Sequence, residues 1–388
     1  MLALASAVAL LAACGGESLG GTSGSGGGGT SDSIKVGLVV AQSGVVSSVG
    51  RDMENGLKLY LDQHKNTLGG KKVNLITVDE GATAQSGAAA VTRVVQQEQA
   101  DVVVGVTIGP TAMAGRDIFD SSQTPAVMGN TGAVALGKDL ASTWVWRASY
   151  DNAQPGRALG EKLAKDESAG KFFLIAADYS GGHETLAGFK ETFAAGRIAG
   201  ELYTPYGTTT DFSPYLSKIR ASGAKNVFSF YTGAEAIAFT KQFHQFGLSD
   251  SVKLYSAGFL TPEPDLNAEG EAALGVLNST RYNWDLDNAE NKAFVPAYEK
   301  AFGSVPTVYA ATMYDVGAIL DNAVSKIQGQ VTRSSINDAL GRIGTVNGVR
   351  GPLTFDDTRT VQQHFYLTEV QKTDAGLRNV TSETLPKP

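Results

Sequence analysis

Residue types that could do covalent chemistry come together at one place in this sequence. The stretch DYSGGHE, residues 178–184, brings Asp178, Ser180 and His183 close to one another, and these are the residue types of a Ser/His/Asp hydrolase. No G-x-S-x-G turn surrounds the serine. The two glycines and the glutamate that follow are typical of a loop leading from a strand into a helix. The sequence therefore favours a structural loop here and predicts no catalytic residue.

Metal-binding and nucleotide-binding patterns are also missing from the sequence. The chain has four histidines, and no two of them form an H-E-x-x-H pair. These histidines are His64, His183, His244 and His364. No Walker A sequence occurs, and no G-x-G-x-x-G sequence follows a predicted strand. We expect no metal site and no cofactor.

The only cysteine of the 388 residues, Cys14, follows an apolar stretch and precedes a tract rich in glycine and serine. Residues 1–13 have the character of a signal-peptide apolar segment, and they are too short to span a bilayer, which needs roughly 20 apolar residues. LAAC at 11–14 resembles the lipobox of bacterial lipoproteins, in which the cysteine receives a diacylglycerol. We expect a signal peptide and lipobox over 1–14 and a flexible tether over 15–33. A free thiol in a flexible leader is the alternative.

Charge and cysteine content narrow the class of protein. The formal net charge is −7, the isoelectric point is near 5.3, and no basic run of five or more residues occurs. Nucleic acid and anionic membrane surfaces are therefore poor partners. No cysteine follows Cys14, so the folded part has no disulfide and must rely on its hydrophobic core. Residues 33–388 exceed one ordinary domain, which favours two lobes.

Short apolar runs alternate with amphipathic segments along the chain. Apolar, β-branched runs of this length predict buried strands, and apolar residues at helical spacing predict the helices between them. Strands are predicted near 34–40, 71–80, 101–106, 124–129, 171–178, 202, 226–231, 252–256, 351–357 and 364–370. Helices are predicted near 53–61, 85–98, 111 onwards, 183–195, 212–221, 234–246, 290–302 and 309–327. This alternation favours parallel sheets with right-handed crossovers, an α/β fold.

Six loops follow predicted strands, three in each half of the chain. In open α/β sheets, ligands bind at the carboxyl ends of the strands. Helix N-termini that follow such loops present N–H groups to an anionic group. The loops are 41–50, 106–112, 129–133, 178–182, 231–235 and 257–261. Two sheets that oppose these loops across a cleft would enclose a ligand.

The order and spacing of several segments resemble one known group of proteins over residues 34–370. The segments are IKVGLVVAQSG from 34, DVVVG at 101–105, DYSGG at 178–182, TDFSPYLSKIRASGA at 210–224, YAATMYD at 309–315 and GPLTFD at 351–356. The chain resembles the type I periplasmic binding proteins, specifically the leucine/isoleucine/valine-binding family that serves ABC transporters.

The resemblance implies two Rossmann-like lobes joined by a three-stranded hinge, with the ligand cleft between them. Lobe 1 is expected over 33–150 plus 282–351, and lobe 2 over 151–281 plus 352–388. Crossovers between the lobes are expected near 147–156, 279–285 and 350–357. The lobes of such a protein close on the ligand by a hinge motion.

Ligand contacts of the family fall on particular positions of this sequence. A serine that binds the ligand carboxylate falls on Gly109, and its neighbour Thr107 offers a hydroxyl. A second anion-binding loop falls on Asn130, Thr131 and Gly132. Aromatic contacts fall on Val49, Gly181, Thr232 beside Tyr231, and Tyr309. Ser43 belongs to the first of the six loops. For the threonines, tyrosines and serine the alternatives are helix caps, core aromatics and turn residues.

The acidic residue that pairs with the α-ammonium of an amino acid falls on Gly258, next to Phe259. Because a buried ammonium without a carboxylate partner is strongly disfavoured, we expect a ligand other than an ordinary α-amino acid. Glu235 could substitute, although a solvated helix surface is the more common place for such a residue. Glycines at 181 and 258 are expected to leave room for a larger apolar body.

The sequence thus predicts an extracytoplasmic solute-binding lipoprotein of an ABC importer, without enzymatic activity. The expected ligand is a small organic carboxylate or amide, with aromatic acids among the candidates. A branched-chain amino acid binder and a ligand sensor of the same fold are the alternatives. Expected partners are the ligand, an ABC permease and its ATPase. Lipidated Cys14 would hold the monomer at the outer face of the bacterial cytoplasmic membrane.

Overall fold

The computed structural model describes residues 33–44 and 46–388, and Ser31–Pro388 form one compact unit. The expected signal peptide, the lipid site at Cys14 and the tether except its last residue lie outside the described residues. Among the described residues, no helix combines the length and the apolar character that crossing a membrane requires.

The first lobe is built on a six-stranded sheet in the order β2-β3-β1-β4-β5-β6. Four strand pairs are parallel, and only the two-residue β2 runs antiparallel to its neighbour. Its strands are β1 (Ser33–Val40), β2 (Thr67–Leu68), β3 (Lys71–Asp79), β4 (Val102–Gly105), β5 (Ala126–Met128) and β6 (Val145–Arg147). Its helices are α1 (Ser47–Gln63), α2 (Ala84–Thr92) and α3 (Gly109–Ser122). Both faces are covered, because side chains of β1 and β4 alternate between two buried clusters.

The second lobe has a seven-stranded sheet whose final two strands are antiparallel. Its elements in chain order are α4 (Gln154–Ala164), β7 (Phe172–Asp178), α5 (Ser180–Thr192), β8 (Ile198–Pro205), α6 (Ser213–Ser222), β9 (Asn226–Phe230), α7 (Gly233–Gln245), β10 (Lys253–Ser256), α8 (Leu266–Glu269) and β11 (Leu277–Thr280). The strand order is β16-β15-β11-β10-β9-β7-β8, with β15 at Phe365–Thr373 and β16 at Gly376–Leu385. Buried phenylalanines dominate its two faces.

Between β11 and β15 the chain returns to the first lobe. The elements there are α9 (Ala289–Phe302), α10 (Val308–Ser325), α11 (Arg333–Leu340), β12 (Val346–Gly348), β13 (Gly351–Phe355) and β14 (Val361–Gln362). Strands β12, β13 and β14 form a small antiparallel sheet. Both large sheets consist mainly of parallel strands and are covered by helices. They confirm the predicted α/β class with two Rossmann-like lobes.

The third connection between the lobes lies later in the chain than expected. Leu353 and Val361 are buried in the same cluster as Leu38 and Val104 of the first lobe, although residues from 352 onwards were assigned to the second lobe. The chain therefore crosses at 363–364, between β14 and β15. The other two crossings follow β6 and β11, at 148–153 and 281–288.

A buried ion pair connects the crossings. Arg350 and Asp315 of α10 are both 0% exposed, and Arg350 Nε donates to Asp315 Oδ2 at 2.7 Å. The other guanidinium nitrogens donate to Ala148 O at 2.9 Å and Gln363 Oε1 at 2.6 Å. Because Ala148 and Gln363 stand on the first and third crossings, one side chain ties these two segments to the first lobe.

Candidate ligand-binding cleft

Loops from both sheets meet at the carboxyl ends of the parallel strands, where ligands bind in open α/β folds. Thr131 follows β5 in the first lobe, and Phe259 follows β10 in the second lobe. Tyr150 and Arg281 stand on the first two crossings. We call the region that these four residues and Gly109 surround the interlobe cleft.

A continuous series of contacts runs across the interlobe cleft. The backbone of Gly132 packs on the Tyr150 ring so closely that an added Cβ would lie 2.8 Å from Tyr150 Cζ. The Arg281 guanidinium carbon lies 4.4 Å from the centre of the same ring, and 6.0 Å from the centre of the Phe259 ring. Tyr150 and Phe259 are themselves 5.7 Å apart, centre to centre. Loop, crossing residues and second lobe therefore share one site.

Arg281 is a buried cation with two unpaired donors in the described part of the chain. The residue is 3% exposed, and its Nε and Nη2 have no hydrogen-bond partner among the described residues. Burial lowers the pKa of Arg281 to about 10, so the guanidinium remains charged at neutral pH. A buried charge is strongly unfavourable unless it is paired. The two nitrogens form the planar fork that binds a carboxylate through two parallel hydrogen bonds.

Aromatic rings extend from Arg281 into the second lobe. Phe259 contacts Phe230 at 5.6 Å, and Phe230 lies 6.1 Å from Tyr179. Tyr179 in turn stacks on Tyr206 at 4.4 Å, and Tyr206 is 56% exposed. Tyr309, in the first turn of α10, is half-buried, and its phenol interacts electrostatically with Arg281. The site thus combines one cation with several aromatic faces.

The loop after β4 is held by a buried carboxylate. Glu80 is 0% exposed and accepts hydrogen bonds from the N–H groups of Thr107 at 2.6 Å and Ile108 at 3.0 Å. Burial raises the pKa of Glu80 above its ordinary value. The Thr107 hydroxyl accepts from Ala41 N–H at 2.9 Å, and Asn130 Nδ2 donates to Thr107 O at 2.9 Å. Thr107 and Asn130 therefore support the loop with bonds inside the first lobe.

One carboxylate joins the second lobe to the first. Glu184 of α5 accepts from Val134 N–H of the first lobe at 3.3 Å and from Asn152 Nδ2 of the first crossing at 2.7 Å. The bond to Val134 depends on the two lobes being close together. Glu184 can therefore stabilise the closed arrangement.

Four other predicted site residues make contacts outside this series. Tyr231 is 0% exposed in the second core, between Phe212 and Phe239. Ser43 donates its hydroxyl to Asp79 Oδ2 at 2.8 Å. Val49 packs on the first core, and Thr232 is exposed at the start of α7.

The glycines at 181 and 258 do not leave the expected room. A Cβ on Gly181 would lie 2.7 Å from the Tyr179 ring. Gly258 has φ of +81°, and a Cβ there would lie 3.0 Å from Ser279 O. Neighbouring atoms already fill both spaces. At Gly109, by contrast, a Cβ would make only an ordinary contact, with Thr131 Oγ1 at 3.9 Å.

Arg281 and Tyr150 are the cleft residues that the sequence analysis did not identify. Arg281 directly follows β11, so a charged residue at the carboxyl end of a buried strand was the available signal. The stretch 279–285 was assigned only to a crossing. In the described part of the chain, no group of three or more His, Cys, Asp or Glu side chains could hold a metal ion.

Comparison with known proteins places this geometry in context. The sequence profile of a family described as "Periplasmic binding protein" matches residues 33–375. The Leu/Ile/Val-binding protein homolog 6 of Brucella melitensis biotype 1 is 32% identical over 362 residues, which cover 89% of this chain and 89% of that protein.

Two solved structures are similar over nearly their whole length. A solute-binding protein of an ABC transporter from R. palustris, in complex with benzoate, is 30% identical, with a TM-score of 0.79, and covers 92% of this chain and 97% of that one. A second, from Rhodopseudomonas palustris BisB5 in complex with 3,4-dihydroxy benzoic acid, is 30% identical, with a TM-score of 0.81, and covers 92% and 99%.

Proposed function

We propose that this chain, which belongs to the periplasmic binding protein family and to its leucine/isoleucine/valine-binding group, captures a small aromatic carboxylate for an ABC importer. Proteins of this family bind small molecules and are not ordinarily enzymes. The ligand binds in the interlobe cleft and is released to a permease without being chemically changed.

The unpaired Arg281 guanidinium is the observation that carries the proposal. A carboxylate that reaches Nε and Nη2 neutralises the cation and satisfies both donors at once. Because the site is buried, water screens the interaction weakly. The buried and unpaired charge of Arg281 in the free protein thus becomes part of a buried ion pair in the complex.

Tyr150 and Phe259 support an aromatic body for the ligand. The centres of the Tyr150 and Phe259 rings lie 4.4 and 6.0 Å from the Arg281 guanidinium carbon. Ring–ring contacts of this kind add about 0.5–1.5 kcal/mol each beyond the area they bury. The two similar R. palustris proteins were solved with benzoate and 3,4-dihydroxy benzoic acid, which agrees with this ligand class.

A branched-chain amino acid is the second candidate, because the Brucella relative is named Leu/Ile/Val-binding. The carboxylate of such a ligand could pair with Arg281 as well, but its ammonium would bring a second positive charge close to that guanidinium. Like charges in a buried site repel each other strongly. Arg281 therefore favours the aromatic acid over the amino acid.

The partners and location follow from the same proposal. An ABC permease and its ATPase receive the ligand, and Cys14 carries the lipid that holds the protein outside the cytoplasmic membrane. The protein works as a monomer, because one chain supplies both lobes of the cleft. A sensor of the same fold would instead present its closed form to a signalling protein. Uptake of the ligand by cells that lack the permease distinguishes the two roles, because only an importer depends on the permease.

Calorimetric titration of the purified protein with benzoate, cinnamate, leucine and valine tests the proposal. We expect the aromatic acids to bind and the amino acids to give no heat. Arg281→Gln should weaken binding of the acids at least about 30-fold, because a buried charge pair contributes roughly 2–5 kcal/mol. Arg281→Lys should lose less, and Arg157→Gln, which alters a surface pair with Glu191, should lose nothing.

Thermal unfolding separates a ligand-binding arginine from a structural one. Free Arg281→Gln should melt close to the wild type, because removal of a buried charge with two unpaired donors offsets the lost contacts of the guanidinium with the Tyr150 and Phe259 rings. A lower melting temperature together with unchanged affinity would assign Arg281 to the fold and contradict the proposal. Tight binding of leucine or valine that is indifferent to Arg281 would establish the second candidate instead.

A further inference from the structure

We infer that Asn379 of β16 is a positioning residue for the ligand site. It forms hydrogen bonds with the two chain segments that carry Phe259 and Arg281, and it fixes one segment relative to the other. The inference rests on the proposed function, because its effect is on the ligand that Arg281 and Phe259 bind. It extends the determinants of affinity to the last strand of the second lobe.

Asn379 holds the loop that follows β10. The residue is 7% exposed, and its Nδ2 donates to Thr261 O at 2.8 Å. Its backbone N–H donates to Glu263 Oε1 of the same loop at 2.9 Å. Phe259 lies two residues before Thr261. These bonds therefore fix the loop close to the ring that Phe259 contributes to the interlobe cleft.

The backbone of Asn379 also holds the second crossing. Its carbonyl oxygen accepts from Asn283 Nδ2 at 3.0 Å and from Trp284 Nε1 at 3.1 Å. Arg281 stands two residues before Asn283 on this crossing. The residue that anchors the loop of Phe259 thus also anchors the segment of Arg281.

Strand β11 connects the same two segments. Asn278 of this strand is 2% exposed, and its Nδ2 donates to Thr261 Oγ1 at 2.8 Å and to Asn379 Oδ1 at 3.1 Å. Arg281 directly follows β11. The three buried side chains of Thr261, Asn278 and Asn379 therefore form one network behind the cleft residues.

Small displacements of the two segments matter for the ligand. A guanidinium holds a carboxylate through two parallel hydrogen bonds, and a site that is about 1 Å too loose loses much of its function. The Phe259 ring centre lies 6.0 Å from the Arg281 guanidinium carbon, so both groups reach the same ligand. Affinity then depends on the distance between loop and crossing, which Asn379 sets.

Calorimetric titration of the purified full chain with benzoate tests the inference. Asn379→Ala should bind benzoate roughly tenfold more weakly than the wild type, a loss within the range for residues that share one hydrogen-bond network. Asn379→Asp keeps the shape of the side chain but replaces the donor to Thr261 O by an oxygen. This variant should lose at least as much affinity as Asn379→Ala.

Asn226→Ala is the matched control for a general loss of stability. Asn226 is a 4% exposed amide at the amino end of β9, and its Nδ2 donates to Ala169 O and Lys171 O. It belongs to the same sheet as Asn379 but contacts neither the loop after β10 nor the second crossing through these bonds. Asn226→Ala should lower the melting temperature as Asn379→Ala does, yet keep its affinity for benzoate within about twofold of the wild type.

A second pair of variants tests the bond to the crossing and remains informative if Asn379→Ala does not fold. Trp284→Phe removes the indole donor to Asn379 O and keeps an aromatic ring, so benzoate should bind roughly threefold more weakly, the effect of one lost hydrogen bond. Trp146→Phe removes a similar bond, from Trp146 Nε1 to Asn337 Oδ1 at 2.8 Å in the first lobe. This control should bind benzoate like the wild type.

A double-mutant cycle distinguishes positioning from an independent effect. If Asn379 acts through Phe259, Asn379→Ala should cost at most about threefold in affinity once Phe259→Ala has removed the ring. Losses that simply multiply would overturn the inference.

The remaining outcomes separate the inference from the proposed function. Asn379→Ala or Trp284→Phe that binds benzoate as tightly as the wild type would overturn the positioning role and leave the proposed function intact. A loss in Asn226→Ala as large as that in Asn379→Ala would do the same. If no aromatic acid binds the wild-type protein, the proposed function fails and the inference fails with it.

Discussion

Replacement of Asp315 by asparagine should destabilise the protein by about 3 kcal/mol. Asp315 accepts from Arg350 Nε and from Val349 N–H, each at 2.7 Å, and both charged side chains are 0% exposed. Asparagine keeps the shape but removes the charge, so the guanidinium stays buried without a counter-ion. Breaking a buried pair from one side costs about 3–5 kcal/mol. We take the lower end, because Ala148 and Gln363 still accept hydrogen bonds from Arg350.

Thermal unfolding followed by circular dichroism measures this loss. With an unfolding entropy of about 2.1 cal/mol/K per residue, about 3 kcal/mol lowers the melting temperature by about 4–7 °C, depending on whether the whole chain or one lobe unfolds. Glu161→Gln is the control, because its pair with Lys165 is a surface i,i+4 contact and such pairs contribute roughly 0.3–0.5 kcal/mol.

The double variant Asp315→Leu with Arg350→Met should recover much of the lost stability, because apolar side chains of similar volume replace buried ion pairs with little net loss. If Asp315→Asn melts within a degree of Glu161→Gln, the ion pair does not stabilise the connection between the lobes, and the reasoning is refuted.

Two further predictions concern single acidic residues. Burial raises the pKa of Glu269 to about 8, and neither of its oxygens has a partner in the described chain. The folded state therefore holds a proton that the unfolded state releases near pH 4.5. As a result, the free energy of unfolding should fall by up to about 1.4 kcal/mol per pH unit between about pH 5 and 8. Urea unfolding across this range should show a flatter pH dependence for Glu269→Gln, and an unchanged slope would contradict the assignment. Glu184→Ala removes the bond from α5 to Val134 of the other lobe and the bond to Asn152 of the first crossing, so ligand should dissociate roughly tenfold faster in stopped-flow measurements. Glu191→Ala, on the same helix but paired with Arg157 within the second lobe, should dissociate like the wild type.

Much of the fold is predictable from the sequence because buried parallel strands leave a strong signal. VVVG of β4 and FFLIAAD of β7 are continuous apolar runs of the length of a strand. β16 gives no such signal, because GLRNVTSETL is a partly exposed edge strand that pairs only with β15. The third crossing was predicted too early in the chain for a related reason. The sequences of the short strands β13 and β14 are compatible with either lobe.

The loops that form the candidate cleft could be identified from the sequence, but the buried arginine beside them could not. The rule that ligands bind at the carboxyl ends of strands identified the loops that carry Thr131 and Phe259. No periodicity distinguishes a buried arginine from a solvated one. The burial of Arg281 could not be predicted, because it depends on how the crossing segments pack in three dimensions. The expectation of extra room at Gly181 was wrong because a one-dimensional pattern cannot show that the Tyr179 ring fills that space.

The backbone at Gly258 also bears on how ligand preference can change over generations. In amino-acid-binding relatives, the resemblance assigns an acidic residue to this position. Here the left-handed φ of +81° and the 3.0 Å approach to Ser279 O would strain any side chain at this position. A single codon change at 258 would therefore yield a strained protein rather than an amino acid binder. Accommodating a carboxylate side chain at 258 therefore also requires a different backbone in the loop after β10.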